Sequence, residues 1–189
     1  MESLRTFIAL ELPEQLKKRL GKLRDELQGR VSGVRWVKPD NIHLTLKFLG
    51  PTGADKVERI AGILKQESRG LMAFSLQVAG LGAFPNTRNP KVVWAGLKVD
   101  EGLAILQQRL ELALVPAGFA EEKRPFVPHL TLGRVRKPQA RTELRAVFEQ
   151  HGEIDLGTYT ACRVTFYQSD LLPSGPVYTV LKAFELESC

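Results

Sequence analysis

Histidine is scarce in this sequence, with three residues in 189, and cysteine is scarcer, with two. Cys162 and Cys189 share no motif spacing and form no Cys-x-x-Cys, so reduced thiols are the expectation. There is no His-Glu-x-x-His, and no carboxylate cluster lies near His43 or His129, which argues against a zinc or two-metal site. The absence of a Gly-x-x-x-x-Gly-Lys loop and of a Gly-x-Ser-x-Gly elbow argues against NTPase and α/β-hydrolase chemistry. Long apolar runs are missing too. The run at the start, Phe7 to Leu10, ends after four residues at Glu11, too short for a signal-peptide core, and no later stretch could span a membrane. A cytoplasmic protein, with no membrane partner, is expected.

What is present describes an ordinary globular protein. Hydrophobic residues make up 43% and charged residues 25%. The length suits one domain, residues 1–189, and a chain this long buries about 70% of its unfolded surface without needing a disulfide or metal. Net charge is +6, and the excess is uneven. Lys123, Arg124, Arg134, Arg136, Lys137, Arg141 and Arg145 face only Glu121, Glu122 and Glu143 in the same stretch. Such a field gathers polyanions such as nucleic acid, although many basic proteins bind none.

Hydrophobic periodicity orders the chain. Residues 6–12 read as a strand, and Pro13 opens a helix to Gly29 with Leu16, Leu20, Leu23 and Leu27 on one face. A loop leads to the alternating stretch from Ile42 to Phe48. A helix over 56–68 and a strand over 73–81 follow, up to the break "GAFPNTRNP". Beyond it the order starts again: a strand over 91–99, a helix with Leu103, Leu106, Leu110 and Leu114 on one face, a basic loop, the strand "HLTLGRV" and a helix over 140–152. Two final strands, 158–169 and 176–186, are joined by the turn "LLPSG".

The restart is in step. "NIHLTLKFLG" (41–50) and "FVPHLTLGRV" (126–135) share His-x-Thr, and two of the three histidines sit in these copies. Phe7 and Val92 are 85 residues apart, and His43 and His129 are 86 apart. The pattern implies an internal duplication, with pseudo-twofold halves of about 1–85 and 86–189.

On a strand, residues i and i+2 share a face. His43 and Thr45 therefore project together, as do His129 and Thr131, while Ile42, Leu44, Leu46, Leu130 and Leu132 turn to the core. A twofold axis would bring both polar faces to one cleft. Two imidazoles with ordinary pKa near 6.5 can divide acid and base duties, as cleavage of a phosphodiester requires. Threonine hydroxyls could bind the non-bridging oxygens as charge builds there. A lone His-x-Thr is ordinary strand structure; two copies in register point to catalysis. His151, beside Gly152, is expected at a helix end as a dipole partner.

At these residues the sequence resembles the 2H phosphoesterase superfamily, and within it the bacterial and archaeal RNA 2′,3′-cyclic phosphodiesterases, historically called 2′-5′ RNA ligases. "RTFIALELP", "NIHLTLKFLG", "GAFPNTRNPKVVWAGL", "RPFVPHLTLGRV" and "FYQSDLLPSGPVYTVL" carry the likeness in order along nearly the whole chain. The resemblance implies an α+β fold of two similar lobes, with mainly antiparallel sheets flanked by helices around a central cleft. It implies hydrolysis of an RNA-terminal 2′,3′-cyclic phosphate to a 2′-phosphomonoester with no metal or cofactor. His43 would be the proton donor, His129 the proton acceptor, and Thr45 and Thr131 would hold the phosphate. Weak reverse ligation through a 2′-5′ linkage would follow from microscopic reversibility. A monomer needing no protein partner is expected, with RNA bearing a 2′,3′-cyclic phosphate end as the partner.

The surrounding residues are open. Arg134 could neutralise the phosphate, but strict alternation sets it opposite His129 unless the strand bulges or ends at Gly133. Lys47 shares the His43 face by parity and competes with it. Arg124 could follow the RNA backbone or be solvated. Phe48 and Phe126 could stack on bases, yet parity sets Phe48 with the core; Trp36, Trp94 and Tyr167 are equally ambiguous. Two other functions compete: a phosphodiesterase for another cyclic or 2′-5′-linked nucleotide, and a non-catalytic RNA-end-binding module.

Overall fold

In a computed structural model, which describes residues 3–98, 100–173 and 175–189, nine strands and four α-helices form an α+β fold. The strands are β1 (Ser3–Leu10), β2 (Val34–Trp36), β3 (Leu44–Gly53), β4 (Phe74–Phe84), β5 (Val92–Leu97), β6 (His129–Val135), β7 (Asp155–Ala161), β8 (Arg163–Leu172) and β9 (Gly175–Glu185). The helices are α1 (Glu14–Arg30), α2 (Val57–Ser68), α3 (Glu101–Leu114) and α4 (Ala140–His151). Strand order is β7-β4-β5-β6-β3-β1-β8-β9, with β2 beside β6, and every pair is antiparallel.

The leucine stripes become the core as their spacing predicts. Leu16, Leu20, Leu23 and Leu27 of α1, and Leu103, Leu106, Leu110 and Leu114 of α3, are buried against Ile8, Leu10, Leu44, Val93 and Leu130 of the sheet. The Asp100 carboxylate caps α3 by accepting from the Gly102 amide at 2.8 Å. Gly29 does not stop α1: the helix runs one residue further, to Arg30.

Two groups of four strands, β9-β8-β1-β3 and β6-β5-β4-β7, meet at one paired position, Leu44 opposite Leu130. Each group draws on both ends of the chain, because β4 lies beside β5 while β8 and β9 lie with β1. The strand expected over 158–169 is therefore two. It breaks at Cys162, with β7 in one group and β8 in the other. Alternation cannot reveal that break, since both pieces are half-buried strands. Val99, at the end of the expected 91–99 strand, and Ser174, in the expected turn, lie outside the described residues.

The corner at Cys162 also corrects the thiol expectation. Cys162 and Cys189 form a disulfide, with Cα atoms 5.5 Å apart. The Cys162 carbonyl accepts from the Leu186 amide at 2.7 Å, and Met72 bridges to Glu187, so the end of the chain is folded back onto this corner. Sequence separation hid a proximity that the sheet creates. No helix among the described residues is long and apolar enough to cross a membrane.

Candidate active site

The Leu44–Leu130 junction places both motifs. Around an antiparallel pair, a local twofold relates residues at equal offsets. His43 and His129 precede the paired leucines, and Thr45 and Thr131 follow them. With Leu44 and Leu130 buried, all four polar side chains turn to the other face, each histidine next to the opposing threonine. Strand rise and spacing alone set the two histidine Cα atoms roughly 8 Å apart.

Each imidazole is held in the same way. His43 Nδ1 donates to the Asn41 carbonyl at 2.9 Å, and His129 Nδ1 donates to the Val127 carbonyl at 2.7 Å. A carbonyl can only accept, so Nδ1 carries the proton and Nε2 remains for chemistry. The surroundings differ. The His43 ring stacks on Phe7 at 4.7 Å and meets the edge of Tyr178 at 5.1 Å, whereas His129 packs edge-on to Phe84 at 4.8 Å.

Burial in this aromatic nest pushes the His43 pKa down to about 4, opposed by the Asn41 hydrogen bond and assisted by the nearby His129. Burial lowers the His129 pKa as well, with Arg134 adding to the effect. Both imidazoles are thus neutral in the free protein at pH 7. The unfolded chain, with an ordinary histidine pKa near 6.5, binds a proton at His43 first as pH falls. Its contribution to stability is therefore present above about pH 6.5 and lost toward pH 4. An NMR titration of the free protein should give His43 a midpoint near 4. A midpoint near 6.5 would mean the ring is solvated rather than nested.

Two matching bulges decide which neighbours reach this face. Phe7, Ile8 and Ala9 of β1 pair with Phe48, Lys47 and Thr45, so Leu46 is extra. Val92, Val93 and Trp94 of β5 pair with Arg134, Gly133 and Thr131, so Leu132 is extra. One inserted residue reverses the parity beyond it. Arg134 consequently lies on the histidine face and is exposed, the outcome its sequence reading had made conditional on a bulge. Phe48 joins it there, 65% exposed with its ring 6.1 Å from Phe7, against the core placement favoured by parity.

Lys47 moves the other way. The bulge turns it behind the sheet, where its ammonium pairs with Glu111 of α3 and donates to the Ala120 carbonyl at 2.9 Å. The expectation that it lines the cleft is incorrect. Its counterpart is Gly133, where a Cβ would stand 2.7 Å from Val34 and 2.9 Å from Trp36, so β2 occupies that space. Trp36 therefore packs behind the sheet, as does Phe126 against the core, while Trp94 lies 6.4 Å from His129. Arg124 is on the exposed loop, paired with Glu122. His151 ends α4 and contacts Arg30 at 3.0 Å.

Residues 10–94 and 97–178 match the family described as LigT like phosphoesterase, which covers most of the chain and both motifs. The chain belongs to the LigT-like phosphoesterases. An RNA 2′,3′-cyclic phosphodiesterase of Methanothermobacter thermautotrophicus is 36% identical over 182 residues, covering 96% of this chain and 98% of the relative. One of Thermotoga maritima is 35% identical, covering 97% and 96%. Among solved structures, TT0787 of Thermus thermophilus superposes with a TM-score of 0.84 at 28% identity, covering 97% of this chain and 98% of that one. Escherichia coli LigT complexed with 3′-AMP gives 0.81 at 28%, covering 99% and 100%.

Sequence reasoning missed the nest around the first LigT-like histidine. Phe7 and Tyr178 carry no local signal of this role, because only the strand order brings β1 and β9 to β3's side of the cleft. Tyr167, 6.4 Å from His43, is steadied by its hydroxyl donating to Glu11 at 3.0 Å, where Thr165 also donates at 2.8 Å.

Proposed function

We propose that this LigT-like phosphoesterase hydrolyses the 2′,3′-cyclic phosphate at an RNA end to a 2′-phosphomonoester, using His43 and His129 and no metal. One observation carries the reading: both imidazoles give Nδ1–H to a carbonyl two residues back and keep Nε2 for the shared face.

His129 Nε2 takes a proton from water as its oxygen attacks phosphorus. The bond from phosphorus to the 3′ oxygen breaks, and His43 Nε2–H protonates that oxygen, leaving a free 3′-hydroxyl and the phosphate on the 2′ oxygen. Thr45 and Thr131 donate to the non-bridging oxygens, with Arg134 neutralising their charge. The same geometry with a 5′-hydroxyl in place of water joins a cyclic end to another RNA: His129 takes the hydroxyl proton, the bond from phosphorus to the 3′ oxygen breaks, and a weak 2′-5′ ligation results. Because the free protein holds both histidines neutral, the anionic substrate must itself stabilise the imidazolium on His43. Phe48, exposed beside this site, is a stacking platform for the terminal base. A cytoplasmic monomer made of two duplicated halves accommodates this site, and the matched bulges support the duplication.

The decisive experiment incubates the protein with excess EDTA and a short RNA ending in a 2′,3′-cyclic phosphate, then locates the product's phosphate. Conversion to the 2′-phosphate is expected, with a higher KM for Phe48→Ala. A 3′-phosphate product would invert the acid and leaving-group assignment, and rates restored only by added metal would overturn the two-histidine mechanism.

A further inference from the structure

The cleft face carries more positive charge than one phosphate uses. Arg134 pairs with Arg35 of β2, so both project to the same face, with Val34 and Trp36 turned behind toward Gly133. Arg5 lies two residues before Phe7 on β1 and shares its face. Arg5, Arg35 and Arg134 are exposed, and among the described residues none is in an ion pair.

All three converge on the head of β9. A Cβ on Gly175 would stand 3.6 Å from Arg35 Nη2, and the Asn41 amide donates to the Pro176 carbonyl at 2.8 Å, tying this strand to the approach to His43. Tyr178 follows, its ring against His43. Burial raises the Tyr178 pKa, while Arg134 and Arg5 are near enough to oppose the rise. Arg134 also bears on His129 and so belongs with the reacting phosphate. Arg5 and Arg35 stand without that link.

We propose that Arg5 and Arg35, with the Tyr178 hydroxyl, form a second anion subsite that holds the internucleotide phosphodiester one nucleotide upstream of the reacting end. An RNA chain leaves its cyclic terminus through that group first, and planar guanidinium forks suit phosphate oxygens. The subsite selects a polynucleotide over a mononucleotide. This deepens the proposed reaction and rests on it.

The test compares kcat/KM of the wild type and an Arg5→Ala/Arg35→Ala double variant on two substrates. One is a short oligoribonucleotide with a 2′,3′-cyclic end; the other is a nucleoside 2′,3′-cyclic monophosphate. The oligonucleotide rate should fall tenfold or more, and its log–log salt dependence should flatten by about 0.7. The mononucleotide, lacking the second phosphate, should be turned over by both proteins at similar rates, which also reports that the variant folds. A neutral methylphosphonate at the last linkage should slow the wild type to the variant's level and leave the variant unaffected. Equal losses on both substrates, no loss on either, or equal sensitivity to the methylphosphonate would overturn the subsite while leaving the proposed reaction intact. A wild type that hydrolyses neither substrate would overturn both.

Discussion

Alanine at His43 or at His129 should reduce kcat by roughly 10²–10⁴-fold while KM changes only severalfold. Each ring offers the substrate one atom, Nε2, and that atom matters most while a proton is moving. On the proposed reaction the ground-state phosphate would keep its other partners, Thr45, Thr131 and Arg134, so binding should largely survive. Because acid and base act in one transition state, the double variant should fall little below the worse single one. Glutamine at either position preserves polarity but cannot shuttle a proton, so it should fail as badly as alanine. Steady-state kinetics beside RNA-binding titrations separate the cases. A drop of less than tenfold in kcat, or a matched loss of binding, would favour an RNA-end-binding role for the pair over catalysis.

Lys47→Ala should destabilise the fold strongly, by about 3–5 kcal/mol. The Lys47 and Glu111 side chains are only 5% and 11% exposed. Glu111 also accepts from Gln107 at 3.2 Å and from the Glu122 amide at 3.2 Å. Removing Lys47 leaves that carboxylate charged and away from water, and it frees the Ala120 carbonyl. The Lys47→Met/Glu111→Leu pair should recover much of the loss, because apolar replacements of similar size remove both charges together. Urea unfolding of the two singles and the double measures this. Singles within about 1 kcal/mol of wild type would mean that the ion pair is solvated. The single variants should also lose some activity, since this pair anchors the segment leading to His129.

How much of this was legible from residues alone follows from which signals are local. The leucine stripes of α1 and α3, the His-x-Thr faces and the restart after residue 85 are short-range patterns, and they carried the helices, the motif strands and the pairing of the histidines. The bulges at Leu46 and Leu132 are invisible to an alternation rule, because an inserted residue is defined only by its partner strand. That reversal misassigned Lys47 and Phe48 and left Arg134 undecided. The break at Cys162 was hidden for the same reason, and with it the disulfide to Cys189. Phe7 and Tyr178 needed the order of strands across the sheet, a long-range property that no window of residues contains.

Strand order has one more consequence. β4 crosses to lie beside β5, and β8 crosses to lie beside β1, so the chain makes the reciprocal exchange that two swapped protomers make in a dimer. Cut near residue 85, the first fragment would lack β8, the neighbour that covers β1, and the second would lack β4, the neighbour that covers β5. Neither piece could close its sheet alone, though the two mixed together could. Each histidine strand thus sits in a strand group that is completed from the far side of residue 85.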